Sequence, residues 1–222
     1  MEPTRVLFIG NSYTSFNNLP RIVAHLAGEA GRPTQTEAVI KGGMTLDWHW
    51  YKNPSALDRI DRGTWDFVVL QDMSTRPVEE PERTIASVAR FAERIRRAGA
   101  TPAVYLTWAR RRLPEMQAEL TRTYTAAAAE SDALLVPVGP AWADAFAASG
   151  ELVLHTDDGS HPNILGSYLA ACVFVATLFD ISPVGLASHY PLEADVTATI
   201  DPTRAQLLQK AAQSACRSAP EA

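Results

Sequence analysis

The sequence predicts an α/β fold in which a parallel sheet of about five strands carries helices on both faces. Short β-branched runs alternate with longer stretches of helical periodicity, as expected when crossover helices join parallel strands. Three of the strand candidates, VLFI, FVVL and LLVPV, are apolar almost throughout. Such runs are typical of strands that helices cover on both faces.

The individual elements follow from these patterns and from the residues that flank them. Glycines stand where a C′ residue would end two helices, at Gly31 and Gly99, and prolines suit the first helical turn at Pro81, Pro114 and Pro202. The predicted strands span 5–9, 36–40, 66–70, 103–107 and 133–138. The predicted helices span 19–30, 81–98, 114–130, 139–148, 164–179 and 202–217.

These elements predict one domain over residues 1–222. No Ser/Gly-rich or charge-rich stretch divides the chain, and 222 residues is a common size for a single α/β domain. We expect a doubly wound, flavodoxin-like three-layer sandwich, with residues 218–222 as a frayed tail.

Composition and charge restrict the partners that we expect. The chain is 46% hydrophobic and 20% charged, with a formal net charge of −5, which argues against a general affinity for nucleic acid. Its longest apolar run, 169–179, is much shorter than the roughly 20 residues of a membrane span. No signal-peptide pattern opens the sequence, which predicts a cytoplasmic protein, although a secreted form without its signal peptide would look the same. No feature of the sequence indicates an oligomeric state.

A serine follows the first predicted strand, in the segment Gly-Asn-Ser-Tyr-Thr at 10–14. One interpretation is a tight turn in which Ser12 caps the next helix. The other is a nucleophile where ligands bind in doubly wound sheets, beyond the carboxyl ends of the strands. The segment is not the Gly-x-Ser-x-Gly elbow of other hydrolases, because Thr14 stands where the second glycine would be.

The partners that a nucleophilic serine needs occur near the C-terminal end, in Asp-Asp-Gly-Ser-His-Pro-Asn at 157–163. Asp158 and His161 are three residues apart, close enough for the carboxylate to orient the imidazole Nδ1 while Nε2 faces the serine. A serine hydroxyl is a weak nucleophile at neutral pH, so a base must take its proton during attack.

Together, these two segments resemble the first and fifth sequence blocks of the SGNH (GDSL-like) hydrolase superfamily. The resemblance runs from Val6 to about Phe179. It implies Ser12 as the nucleophile, His161 as the base and Asp158 as the residue that orients it, with no cofactor and no metal. It also implies hydrolysis of an acyl ester, and members of the superfamily act on acetylated sugars, lipids, thioesters and simple aryl esters. Among these, we take a small acyl ester, the acetyl ester of a carbohydrate, as the first expectation.

The resemblance further implies an oxyanion hole built from three donors. These are the backbone N–H of Ser12, a glycine N–H after the second strand and a side-chain amide after the third. Gly43 is the better match for the glycine and Gly42 is the next. Where most members have Gly-x-Asn-Asp, this chain has Leu-Gln-Asp, so Gln71 is the candidate for the third donor, as in a divergent branch of the superfamily.

Further polar and aromatic residues near the same edge are candidates for a substrate pocket. They are Asn11, Gly42, Trp48, His49 and Trp108. The alternative for the aromatic rings is a satellite core beneath a long loop.

Two other functions remain open at this point. His155, Asp157, Asp158 and His161 contain the oxygen and imidazole ligands of a metal-dependent hydrolase. The missing asparagine after the third strand also fits a non-catalytic module that binds carbohydrate or lipid.

Overall fold

A single five-stranded parallel sheet organises the molecule. The computed structural model describes residues 2–193 and 196–218. The strand order is β2-β1-β3-β4-β5, and every neighbouring pair is parallel. The predicted α/β fold is therefore confirmed. The strands are β1 (Thr4–Gly10), β2 (Thr34–Ile40), β3 (Phe67–Leu70), β4 (Thr101–Leu106) and β5 (Leu134–Pro137).

Helices cover both faces of this sheet. The six long helices that the sequence predicts are present, and the third begins at Met116, two residues later than predicted. Four helices of four to nine residues were not predicted. Three of them have six residues or fewer, which is too short to show a helical period. The helices are α1 (Ser12–Ser15), α2 (Leu19–Glu29), α3 (Leu46–Tyr51), α4 (Pro54–Arg62), α5 (Arg76–Glu79), α6 (Pro81–Arg97), α7 (Met116–Glu130), α8 (Val138–Ala148), α9 (Ile164–Phe179) and α10 (Pro202–Ser218), with a 3-10 turn at Phe16–Asn18.

The alternation of side chains along the strands creates two separate cores. Val6 and Phe8 of β1 point into the core that contains α2, α8, α9 and α10. Leu7 and Ile9 point into the opposite core, which contains α4, α6 and α7. Because both faces of the central strands are buried, β1 is apolar from Val6 to Ile9 and β3 is apolar throughout, whereas the edge strand β2 is polar from Thr34 to Glu37.

A short antiparallel hairpin, β6 (His189–Glu193) and β7 (Val196–Thr199), was not predicted from the sequence. It lies beside α2, where the His25 ring meets the His189 carbonyl at 3.0 Å. Of the predicted tail, Ser218 is the last residue of α10, and residues 219–222 lie outside the described part of the chain. Within residues 2–193 and 196–218, none of the helices combines the length and the apolar character that crossing a membrane requires.

The strand order places a topological switch point between β1 and β3. The chain leaves β1 toward β2 on one side, and all later strands add on the other side. Crossover connections diverge at such a point and leave a crevice beyond the carboxyl ends of the strands. Ser12 is the second residue after β1, so it lies at this crevice.

Candidate active site

The turn after β1 presents the Ser12 hydroxyl at the edge of the sheet. Asn11 caps α1, because its Oδ1 accepts a hydrogen bond from the Tyr13 N–H at 3.2 Å. Its Nδ2 donates to the carbonyls of Met44 (3.0 Å) and Asp72 (3.3 Å). Asn11 is thus buried as a tie between the segments after β1, β2 and β3, and we correct the expectation that it lines a substrate pocket.

The loop before α9 folds tightly around Asp158. Its Oδ1 accepts hydrogen bonds from the N–H groups of Ser160 (2.7 Å) and His161 (2.9 Å), which is the pattern of an Asx turn. Gly159 occupies the left-handed region with φ +70, which the turn requires. Asn163 then caps α9 by accepting from the Gly166 N–H at 3.1 Å. The Asp-x-x-His spacing is therefore a local structure that fixes the carboxylate against its own histidine.

The fold brings Ser12, His161 and Asp158 into one hydrogen-bonded line. The His161 Nε2 is 2.8 Å from the Ser12 Oγ, and its Nδ1 is 2.5 Å from the Asp158 Oδ2. Partial burial raises the pKa of Asp158, but hydrogen bonds from the His161 ring and from the Ser160 and His161 N–H groups outweigh it. They hold the pKa of this carboxyl well below its ordinary value. The carboxylate is thus ionised beside the imidazole at neutral pH.

The loop after β2 offers free backbone donors beyond the strand end that pairs with the end of β1. The ends of β1 and β2 are paired, with Gly10 opposite Ile40 and the Lys41 N–H donating to the Gly10 carbonyl at 3.1 Å. Gly43 is exposed and has a φ of +71, a conformation that side-chain-bearing residues rarely adopt. Among the residues that the structure describes, the N–H groups of Ser12 and Gly43 donate to no protein acceptor. The same is true of the exposed Gly42.

Gln71 lies behind the turn that carries Ser12 and not in the crevice. Its side chain is fully buried, and its Oε1 accepts from the Asn11 N–H at 2.9 Å and from the Thr14 hydroxyl at 3.0 Å. Its Nε2 donates to the Asp72 carbonyl. A Cβ on Gly10 would stand 2.6 Å from the Gln71 Oε1, so glycine is required for this close approach. We therefore correct the expectation of a third oxyanion donor: in this structure Gln71 supports the turn that carries Ser12.

Asp72 connects the end of β3 to three helices. Its Oδ1 accepts from the N–H groups of Leu46 (2.9 Å) and Met73 (2.8 Å), and its Oδ2 accepts from the Thr84 hydroxyl at 3.1 Å. Arg76 lies 3.5 Å from the same oxygen. Burial raises the pKa of Asp72, and Arg76 and the N–H donors only partly oppose this. The carboxylate therefore holds the start of α3, which follows the Gly42–Gly43 loop.

The aromatic segment of α3 is mostly packed away from the crevice. His49 is fully buried, with its Nε2 2.9 Å from the Gly10 carbonyl, so it does not line a substrate pocket. Trp48 is partly exposed and meets the His49 ring edge-to-face. Trp50 packs against Phe91 of α6. For His49 and Trp50, the alternative of a satellite core describes the structure better.

Trp108 connects the loop after β4 to the site. Its ring is almost completely buried and stacks on Tyr13 at 4.6 Å between centroids. On its other side it stacks on Trp142 at 4.1 Å and lines a cavity of about 230 Å³ together with Phe146 and His155. Trp108 therefore supports the site from behind, and this cavity lies on the side of the ring that faces away from Tyr13.

The four residues of the alternative metal site do not converge. His155 is buried, and its Nε2 is 3.0 Å from the Ala109 carbonyl. Both ring nitrogens of His161 are engaged by Ser12 and Asp158. Within residues 2–193 and 196–218, no three His, Cys, Asp or Glu side chains are grouped as ligands of a metal ion.

Sequence reasoning missed three residues that contact the catalytic candidates. Phe16 stacks on the His161 ring at 4.1 Å, and the Tyr13 ring meets it edge-to-face at 5.6 Å. The Tyr13 hydroxyl is 2.7 Å from the Ser160 Oγ. Tyr13 and Ser160 each adjoin a predicted catalytic residue, but nothing in a single sequence shows that two such neighbours meet.

Comparison with known proteins finds solved structures that are similar to this chain. Neither a protein-family model nor a curated protein sequence matches the chain. Among solved structures, one from Slackia heliotrinireducens that is assigned to the SGNH hydrolases shares 32% identity, with a TM-score of 0.71. The match covers 80% of this chain and 100% of that one. The chain belongs to the SGNH hydrolases.

Two more distant structures share the SGNH hydrolase fold with this chain. A DUF4886 family protein from Bacteroides uniformis is 19% identical, with a TM-score of 0.79 and coverage of 98% of this chain and 96% of that one. The acetyl xylan esterase AlAXEase is 14% identical, with a TM-score of 0.60 and coverage of 77% and 97%. At these identities the likeness establishes the fold alone.

Proposed function

We propose that this SGNH hydrolase is a serine esterase that removes a small acyl group from its substrate through an acyl-enzyme. One observation carries the proposal: the Ser12 Oγ, the His161 ring and the Asp158 carboxylate form a continuous relay with contacts of 2.8 and 2.5 Å. Such a line allows a proton to leave the hydroxyl during attack while the carboxylate stabilises the imidazolium that forms.

In the acylation step, the Ser12 Oγ attacks the carbonyl carbon of the ester as its proton passes to the His161 Nε2. The carbonyl oxygen then carries a negative charge in the tetrahedral intermediate. The intermediate collapses when the alkoxide leaves and takes the proton from His161. The acyl group remains bonded to Ser12.

In the deacylation step, a water molecule gives its proton to His161 and attacks the acyl carbon. A second tetrahedral intermediate forms and breaks its bond to the Ser12 Oγ, which regains the proton from His161. The products are the free acid and the restored enzyme.

The backbone N–H groups of Ser12 and Gly43 are our candidates for stabilising the charged oxygen, with Gly42 as the alternative glycine. The Ser12 N–H and the Gly43 N–H belong to the segments that follow the paired ends of β1 and β2, so we expect the two groups to flank the same crevice. Each oxyanion donor commonly contributes about 3 to 4 kcal/mol to the transition state.

We propose an acetylated carbohydrate as the first substrate class to test. The Gly42–Gly43 loop is exposed and the Asp158 side chain is 48% exposed, so a bulky leaving group can approach from solvent. The acetyl xylan esterase among the structural neighbours acts on such a substrate, by its name. Initial rates on acetyl through decanoyl esters and on acetylated sugars would test the choice. Faster turnover of long acyl chains would contradict it.

Ser12→Ala tests the proposed mechanism. We expect kcat to fall by a factor of about 10⁴ to 10⁶, because the triad acts as a unit. The thermal midpoint should stay close to that of the wild type. Ser15→Ala is the matched control, since Ser15 is an exposed serine on the same short helix. A fluorophosphonate probe should label the wild type and Ser15→Ala but not Ser12→Ala.

The fluorophosphonate probe and assays in EDTA test the two alternative functions. A wild-type protein that resists the probe and cleaves no ester would support a non-catalytic binding module. Assays run in EDTA address the metal-dependent alternative. Complete loss of activity in EDTA, restored by zinc or manganese, would contradict the serine mechanism.

A further inference from the structure

The two halves of the proposed site come from distant parts of the chain. Ser12 and His161 are separated by 149 positions, and the described contact between them is a single, partly exposed hydrogen bond. Proton transfer requires the two atoms to stay within a few tenths of an ångström of their working distance. A single bond near solvent does not hold two loops that closely, so other contacts must fix their separation.

A second hydrogen bond joins the neighbours of these two residues. Tyr13 follows Ser12, Ser160 precedes His161, and the Tyr13 hydroxyl lies 2.7 Å from the Ser160 Oγ. Trp108 also bonds Ser160, because its Nε1 donates to the Ser160 carbonyl at 2.9 Å. Ser160, which directly precedes the proposed base, is thus hydrogen-bonded to two aromatic side chains.

The two aromatic rings are themselves fixed. Tyr13 is 2% exposed and Trp108 is 1% exposed. Their rings stack within 3° of parallel, and Trp108 stacks within 2° of parallel on Trp142. Because this stack is buried on both sides, the Tyr13 hydroxyl has little freedom to follow a moving loop.

We propose that Tyr13 is a positioning residue that sets the distance between the Ser12 hydroxyl and the His161 imidazole through its hydrogen bond to Ser160. Trp108 orients both partners of that bond. This inference rests on the proposed serine mechanism and adds a residue to it. Tyr13 does not touch the reacting atoms, so its effect is exerted through the loop that carries His161.

Tyr13→Phe and Ser160→Ala, alone and combined, test the proposal. Each single variant removes one side of the same bond and leaves the stacked rings and the backbone of the loop in place. We expect kcat to fall about tenfold in each, with KM within twofold of the wild type. The double variant should be no slower than either single variant, because the shared bond is lost only once. The rate of fluorophosphonate labelling at Ser12 should fall in parallel with kcat.

Tyr168→Phe is the matched control. This variant also loses the hydroxyl of a buried tyrosine, which donates to the Ala187 carbonyl at 2.9 Å. We expect it to lower the thermal midpoint and to keep kcat. If Tyr13→Phe does not fold, the partly exposed Ser160→Ala variant still measures the bond.

Three outcomes would overturn the inference: wild-type kcat in both single variants, multiplicative losses in the double variant, or an equal loss of kcat in Tyr168→Phe. Each differs from failure of the serine mechanism, in which the wild type itself would resist the probe.

Discussion

At the scale of single residues, the most informative position is Gln71. Its Oε1 accepts hydrogen bonds from the Asn11 N–H and the Thr14 hydroxyl, so the carboxamide is packed against the turn that carries Ser12. This packing also needs Gly10, since a side chain there would collide with the Gln71 Oε1. Thr14, which stands where another hydrolase family has glycine, is explained by the same contact.

Gln71→Ala distinguishes a supporting residue from an oxyanion donor. We expect the free energy of unfolding to fall by about 2 kcal/mol, because the buried Asn11 N–H and Thr14 hydroxyl lose their acceptor. Urea denaturation measures this, with Gln213→Ala as a control whose side chain donates an exposed hydrogen bond to the Ser182 hydroxyl. Unchanged stability with a kcat that falls 100-fold to 1000-fold would restore the oxyanion role.

At the scale of secondary-structure elements, the buried carboxylate of Asp72 decides how α3, α5 and α6 meet the end of β3. It bonds the Leu46 N–H, Arg76 and Thr84, one from each helix. Arg76 is almost fully buried and also pairs with Asp47. The start of α3, and with it the position of the Gly42–Gly43 loop, therefore depends on a charge network and not on apolar packing alone.

Asp72→Ala should destabilise the protein by about 3 to 5 kcal/mol. The reason is that two backbone N–H groups and the Thr84 hydroxyl lose their buried acceptor at once, while the buried Arg76 guanidinium is left with Asp47 as its counter-ion. Asp61→Ala, which removes the exposed partner of Arg94, should cost less than about 1 kcal/mol. Equal losses in the two variants, measured by chemical denaturation, would show that the Asp72 network does not hold the three helices.

At the scale of the whole molecule, two buried histidines link stability to pH. Burial lowers the pKa of His49, and the hydrogen bond to the Gly10 carbonyl only partly offsets this. Burial also lowers the pKa of His155. The unfolded chain therefore binds protons at these two positions that the folded chain does not accept, and stability must fall as pH decreases through the unfolded histidine pKa near 6.5.

We expect the free energy of unfolding to decrease between pH 7.5 and 5.5, with each histidine contributing a slope of at most about 1.4 kcal/mol per pH unit. His49→Gln keeps a donor for the Gly10 carbonyl and should reduce the slope. Asp158 does not contribute here, because a carboxyl with a lowered pKa loses its stabilisation only at more acidic pH. Burial raises the pKa of Asp72, but this carboxyl is present in both the wild type and His49→Gln. The difference between their two slopes therefore isolates the contribution of His49. Identical slopes would contradict the linkage.

The sequence by itself determined the five-stranded sheet, its long helices and the residues from which a triad can be built. Periodicity and apolar runs are local properties, and so are the Gly-Asn-Ser turn and the Asp158 turn that folds onto its own histidine.

Only the tertiary structure decided which distant side chains meet. Gln71 lies outside the predicted oxyanion hole because β3 pairs with β1 directly behind the turn that carries Ser12. His49 lies outside the predicted pocket because α3 packs its ring against the Gly10 carbonyl. Tyr13 contacts Ser160, which is 147 positions away in the sequence. Burial and hydrogen-bond partners across elements depend on how the elements pack, and no local pattern of residues encodes that arrangement.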